Sequence, residues 1–281
     1  MERWPLGIFT SIDAGLGLPL TTTAELGIST VHLHAPKAVS RSPEAAEQLV
    51  ARLAEFGIEV TCLFAGFEGE SYADIPTVER TVGLVNQDSQ QQRVVELKEI
   101  SDFGRLLRVP AVGLHIGFVP HNIGSPKHSR LVDITRDVCD HCRENDQTLH
   151  LETGQETAEE LVAFLQQVDR GNLFVNFDPA NMILYGAGEP LPALKTLGSY
   201  VRSVHCKDAK WSDQPGKTWG EEMPLGEGDV DMAAYLRVLH SIGYTGPLTI
   251  EREIPQQPDR QKLEIGQAVE LLSRLKSSII D

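Results

Sequence analysis

Residues 173–185 read LFVNFDPANMILY. An apolar, strand-like run ends on Asp178, followed by Pro179 and, two residues later, Asn181. Desolvating a carboxylate costs several kcal/mol unless something pairs with it. A buried strand that finishes on Asp178 therefore demands a partner from elsewhere in the chain. The same pattern recurs in TVHLHA (30–35), AVGLHIGF (111–118), TLHLET (148–153), VRSVHCKD (201–208) and PLTIERE (247–253).

Side chains alternate across a strand, so residues two apart share a face. The pairs are His32 and His34, Gly113 and His115, His150 and Glu152, Asn176 and Asp178, Ser203 and His205, and Thr249 and Glu251. The residues between them are Leu33, Leu114, Leu151, Phe177, Val204 and Ile250. Six segments thus have one purely apolar face and one polar or small face. PLGIFTSI (5–12) and EVTCLFAG (59–66) add two more strand-like runs, making eight.

Helical patterns separate them and carry start signals. Ser42-Pro43 and Ser125-Pro126 each set an N-cap serine before a proline at the first helical position. Thr157 to Glu160 reads as a capping box, and Asp231 opens a helix that stops at Gly243. Eight strands, each followed by a helix, predict a single (β/α)₈ TIM barrel, and no composition break divides residues 1–281. An open doubly wound sheet would show a Gly-rich phosphate loop after an early strand. The turns SIDAGLG and HAPKAV have no GxGxxG.

In a barrel the apolar faces meet the helices and the polar faces point inward. His34, His115, Glu152, Asp178, His205 and Glu251 then converge on the C-terminal mouth, where such barrels keep their sites. Carboxylates brought that close repel unless a cation intervenes. Glu152, Asp178, His205 and Glu251 supply three carboxylates and an imidazole. That set suits one divalent ion, Mn²⁺ first, with Mg²⁺, Zn²⁺ or Co²⁺ as alternatives. Two long connections, 67–85 and 209–229, rise from the same end, and loops of that length tend to be functional. Trp211 and Trp219 in the second are candidate lids, against the alternative of anchors for a surface loop.

Forty acidic against 25 basic residues give a net charge of −15. Nucleic acid and anionic membranes both call for a basic footprint, so neither is an expected partner. No signal peptide or membrane span is read, and the four cysteines are too few for a disulfide framework. Cys139 and Cys142 read as ordinary helix residues. The expected compartment is the cytoplasm.

The segments VGLHIG, LHLETG, NFDPANM, VHCKDA, PLGEGDVD and GPLTIERE resemble the xylose isomerase-like barrels. The likeness is closest to the sugar phosphate isomerase/epimerase branch that includes ketose 3-epimerases. It runs over most of the chain and is densest from 111 to 253. It implies that Glu152, Asp178, His205 and Glu251 hold a single divalent metal, with Glu152 and Glu251 also the catalytic acid/base pair. One would take a proton next to a carbonyl, giving an enediolate, and the other would return one from the opposite face. The expected substrate is a small sugar or sugar phosphate, touched by His34, His115, Asn181, Lys207 and Trp211. Lys207 would pair with a phosphate or carboxylate, or bridge to Asp208. The ketose epimerases carry a His where Asn181 stands, and an Arg beyond the strand 7 His where this chain has Lys207 and Lys210.

A metal-dependent dehydratase on the same barrel is the alternative. An apurinic endonuclease would need a further His at position 181 and an Asp-x-His within 209–229, and this chain has neither. A non-catalytic sugar-binding barrel has no need of two opposed glutamates. Oligomers are frequent among such barrels, and a homo-oligomer is compatible with this sequence.

Overall fold

The computed structural model describes residues 3–254 and 257–280. Eight parallel strands close into a barrel: β1 (Leu6–Thr10), β2 (Thr30–His34), β3 (Glu59–Ala65), β4 (Ala111–Leu114), β5 (Thr148–Glu152), β6 (Leu173–Phe177), β7 (Val201–Cys206) and, closing against β1, the strand Leu248–Ile250. Each lies inside a segment the alternation pattern had marked. Two short strands absent from the sequence reading, β8 (Asp208–Lys210) and β9 (Glu221–Met223), pair antiparallel over the mouth. In chain order the closing barrel strand is therefore β10. Helices fill the crossovers, as parallel pairing requires.

The six residues assigned to the outer face, Leu33, Leu114, Leu151, Phe177, Val204 and Ile250, are all at most 1% exposed and join the large core between sheet and helices. Burial of each such side chain contributes roughly 1.5–3 kcal/mol. Inside the barrel a smaller apolar cluster of Phe9, Cys62, Phe64 and Ala111 forms the floor. Gly113 is glycine because the Phe64 ring lies against it: an added Cβ would come within 2.5 Å of that ring. Between these layers the inward polar residues pair with each other. His150 Nδ1 bonds Ser203 Oγ at 2.8 Å, and His32 Nδ1 bonds His205 Nε2 at 3.0 Å.

The helix starts follow the sequence signals. Ser42 and Ser125 accept from Ala45 N and His128 N, and Asp231 accepts from Ala234 N. Thr157 and Glu160 make the reciprocal box. Cys139 and Cys142 are buried free thiols within the helix Pro126–Glu144. Both long connections are tied down by acids, one half-buried and one fully buried. Glu70 accepts from Phe67 N and Gly83 N. Asp208 accepts from Ala209, Gly226, Gly228 and Val230 N at 2.9–3.0 Å. Among the described residues no helix is long and apolar enough to cross a membrane.

Candidate metal centre

Barrel order places β5, β6, β7 and β10 side by side. Their C-terminal ends deliver Glu152, Asp178, His205 and Glu251 to one place: one ligand atom from each lies within 4.8 Å of all the others. His205 Nδ1 is central, 2.6 Å from Glu152 Oε1, 2.6 Å from Glu251 Oε2 and 3.7 Å from Asp178 Oδ2. Its other nitrogen is held by His32, which turns Nδ1 toward the carboxylates.

Local sequence explains Asp178. It is the N-cap of the short helix Pro179–Tyr185, and its Oδ1 accepts from Asn181 N at 2.9 Å. Proline at the first helical position suits that start. Its backbone is fixed by Thr153, whose hydroxyl accepts from Asp178 N and donates to Asp178 O. Oδ2 is left buried with no hydrogen bond. Glu251 Oε2 is likewise buried and, although close to His205 Nδ1, makes no hydrogen bond in acceptable geometry. Orphaned carboxylate oxygens in a dry site are costly. A divalent cation answers that cost, so the four residues fit one ion of the hard, oxygen-preferring kind.

Burial alone would lower the His205 pKa, but the carboxylates of Glu251 and Glu152 push it well above the ordinary value. A cation is thus favoured at this point whichever group supplies it. Burial lowers His32 well below its ordinary value, and the His205 charge adds to this. His115 is lowered to about 3, chiefly by burial and then by Lys207. Both rings are therefore neutral near pH 7.

Above the cluster opens a cavity of about 590 Å³. His34, His115, Asn181 and Lys207 line it, together with Glu152, His205 and Glu251. Trp211 does not. It packs against the main core, with its backbone N–H given to Asp229 Oδ2, while Trp219 lines the cavity with its ring 4.6 Å from Tyr185. Lys207 does not bridge to Asp208, whose oxygens are taken by backbone N–H groups. Its ammonium sits 3.3 Å from Glu251 Oε1 and 3.2 Å from Glu253 Oε2.

Sequence reasoning passed over Phe9, Phe64, Tyr72, Tyr185, Glu222 and Glu253, which also line the cavity. Glu253 was within reach, being two residues beyond Glu251 on the same alternation. Tyr185 closes the helix that Asp178 caps, and its hydroxyl meets His115 Nε2 at 3.1 Å.

Comparison with known proteins places this geometry. A crystal structure of a xylose isomerase domain protein from Planctomyces limnophilus is 53% identical, with a TM-score of 0.97 and 99% of each chain covered. A D-psicose 3-epimerase from Clostridium cellulolyticum H10, solved with D-tagatose, shares the fold at 20% identity and a TM-score of 0.71, covering 96% of this chain and 98% of that one. An inosose dehydratase from Clostridium botulinum is 27% identical over 115 residues, 37% of this chain and 38% of that protein. The chain aligns with only 30% to 38% of the length of the first curated relatives it matches. The xylose isomerase-like TIM barrel model matches residues 20–275. The chain belongs to the xylose isomerase-like TIM barrel family.

Proposed function

We propose that this protein is a divalent-metal-dependent isomerase or epimerase of small sugars that moves a proton at a carbon next to a carbonyl. The observation that carries the reading is the bracket of two glutamates. Glu152 and Glu251 come from the outer strands of a run of four, stand on either side of His205, and both line the cavity. A proton can then leave toward one carboxylate and be returned from the other.

When bound, the ion, Mn²⁺ by preference, supplies an electrophile for the carbonyl and neighbouring hydroxyl oxygens, which acidifies the carbon-bound proton. The chain's residues do the rest. Lys207, beside Glu251 Oε1, and Asn176, whose amide donates to Glu152 Oε1 at 3.3 Å, make the two glutamates unequal partners. Asn181, His115 and His34 offer hydrogen-bonding groups to substrate hydroxyls. Phe9, Phe64, Tyr185 and Trp219 present apolar rings to the carbon skeleton and keep water from the reacting carbon. The inosose dehydratase similarity supports a second reading, in which the same proton abstraction is followed by loss of a β-hydroxyl as water.

Incubation of the Mn²⁺-loaded protein with ketoses and cyclitol ketones in D₂O tests both. Deuterium incorporation with no loss of water is expected. Loss of water moves the assignment to the dehydratase, and no exchange with any member of the panel overturns both. Glu152→Gln should lower exchange by ~10²–10⁴-fold, the usual worth of a positioned acid or base.

A further inference from the structure

Among the described residues, every basic side chain that could hold an anion is absent from this cavity or already occupied. The acids Glu70, Glu152, Glu222, Glu251 and Glu253 line it, and no arginine does. Lys207 is the one lysine among the lining residues. Its three donors are taken: by Glu251 Oε1 at 3.3 Å, Glu253 Oε2 at 3.2 Å and Asn181 Oδ1 at 3.5 Å. Glu222 Oε2 and Asp178 Oδ2 stand 4.0 Å away on the same ammonium. Arg252, next in sequence to Glu251, turns its guanidinium to Glu222 Oε1 and Glu264 Oε2, both at 2.6 Å. Arg93, near Glu70, does not line the cavity, and its two terminal nitrogens go to the carbonyls of Thr81, Gly83 and Glu68. The helix that opens at the cavity offers no free first-turn amide at Asn181, because Asp178 caps it.

What remains available is uncharged. Trp219 lines the cavity with a buried indole N–H that has no partner. Such a donor matches a hydroxyl, which can also donate onward to a neighbouring carboxylate. The aromatic rings of Phe9, Phe64 and Tyr185 suit C–H faces rather than charge.

Accepting the sugar-transforming reading above, we infer that the substrate is an uncharged polyhydroxylated carbonyl compound, and that phosphorylated or carboxylated sugars are rejected. Glu253 enforces this by holding Lys207 in place. A phosphate entering beside Glu222, Glu251 and Glu253 meets like charge at short range in a site of low dielectric, with no side-chain cation free to answer it and the metal engaged by the carbonyl and hydroxyl oxygens.

The test titrates the Mg²⁺-loaded protein with a panel of ketoses and cyclitol ketones, their phosphorylated or carboxylated counterparts, and inorganic phosphate. Calorimetry reads binding, and solvent deuterium exchange is followed in parallel. At least one neutral member should bind, and each charged counterpart should bind at least about ten-fold more weakly, the effect expected of uncompensated like charge. Metal-free wild type, in which phosphate has no ion to bind through, should show no saturable phosphate binding. Glu253→Gln, which releases Lys207, should gain phosphate affinity by about ten-fold. A charged counterpart that binds as tightly as its neutral partner overturns the inference, as does saturable phosphate binding to metal-free wild type. Failure of every neutral compound to bind, with no gain in Glu253→Gln, overturns it as well. Binding of neutral compounds without deuterium exchange would sink the isomerase reading while leaving the charge selectivity intact. Exchange into a phosphorylated ketose would do the reverse.

Discussion

Two buried aspartates, Asp178 and Asp208, stand thirty residues apart, and neither is exposed at all. Asp208 is surrounded by four backbone N–H groups, from Ala209, Gly226, Gly228 and Val230. The approach is so close that a Cβ on Gly228 would fall 2.1 Å from its Oδ1. Asp178 has one oxygen on a helix amide and the other on nothing. The first carboxylate is consumed by the fold, since it ties the segment that carries Trp219 and Glu222 to the end of β7. The second is left half unsatisfied by the fold, and that unsatisfied half faces His205 and Glu251. Equal burial thus separates a structural acid from a candidate ligand only when each oxygen is followed to its partner.

Substitution by asparagine separates the two most sharply. Asn caps a helix about as well as Asp, so Asp178→Asn should fold normally. It removes a ligand charge, however, and metal affinity should fall by more than the ~10–100-fold that losing an outer partner costs. Calorimetric Mn²⁺ titration measures this, and solvent exchange should fall with it. Retained affinity would show that Asp178 is only a cap. Asp208→Asn is expected to do the opposite. An amide sets its own N–H₂ against backbone donors, leaving buried N–H groups without acceptors at roughly 1–3 kcal/mol each. Urea unfolding should show a loss of about 2–4 kcal/mol, with metal affinity nearly unchanged. A neutral outcome would mean that the 208–230 segment is held by the β8–β9 pairing and its packing instead.

The same contrast explains what could be read in advance. The barrel was legible because alternation is a local signal: Leu33, Leu151 and Val204 report an outward face wherever the strand ends up. The four candidate ligands followed, because strand ends in a closed barrel must converge. The walls of the cavity were not legible. Tyr72 comes from the 67–85 connection and Trp219 from the 209–229 connection, and their position depends on anchors such as Glu70 and Asp208. Those anchors bind backbone N–H groups, which carry no residue signature. Trp211 and Trp219 are equally aromatic in the sequence. The β8–β9 hairpin sends Trp219 to the cavity and leaves Trp211 on the core. Asp178-Pro179 was a missed local signal, the same cap-then-proline pair read correctly at Ser42-Pro43.

A smaller effect is expected one layer below the ligands. His32 is buried, neutral and stacked on Phe64, with ring centroids 5.6 Å apart, and its Nδ1 holds His205 Nε2. For Nδ1 of His205 to offer a lone pair, its Nε2 must carry the proton and donate it to His32. His32→Phe keeps the stack and removes the acceptor. Mn²⁺ affinity should drop by about ten-fold or somewhat more, as for other outer partners of ligating histidines. Near-ultraviolet circular dichroism should be little changed. Unaltered affinity would show that packing alone orients His205.

An effect on stability alone concerns an acid of the Asp208 type away from the candidate metal centre. Glu156 is buried beside the loop that follows β5 and accepts from Val119 N at 2.8 Å, joining that loop to the one after β4. Burial outweighs this bond and pushes its carboxyl up from an ordinary value of 4.5 to about 7. A raised pKa in the folded state means that folding favours the protonated form. The stability it contributes is fully present below about 4.5 and is lost as pH rises through about 7. Glu156→Gln keeps an acceptor for Val119 N and cannot ionise. Unfolding free energies of the two proteins should therefore diverge between pH 4.5 and 7.5, with the variant gaining on wild type by about 1–3 kcal/mol at the upper end. Metal affinity, for which Asp178 is the proposed ligand, should not follow. Parallel pH curves for variant and wild type would mean that Glu156 stays ionised in its pocket and that the Val119 amide compensates for its burial.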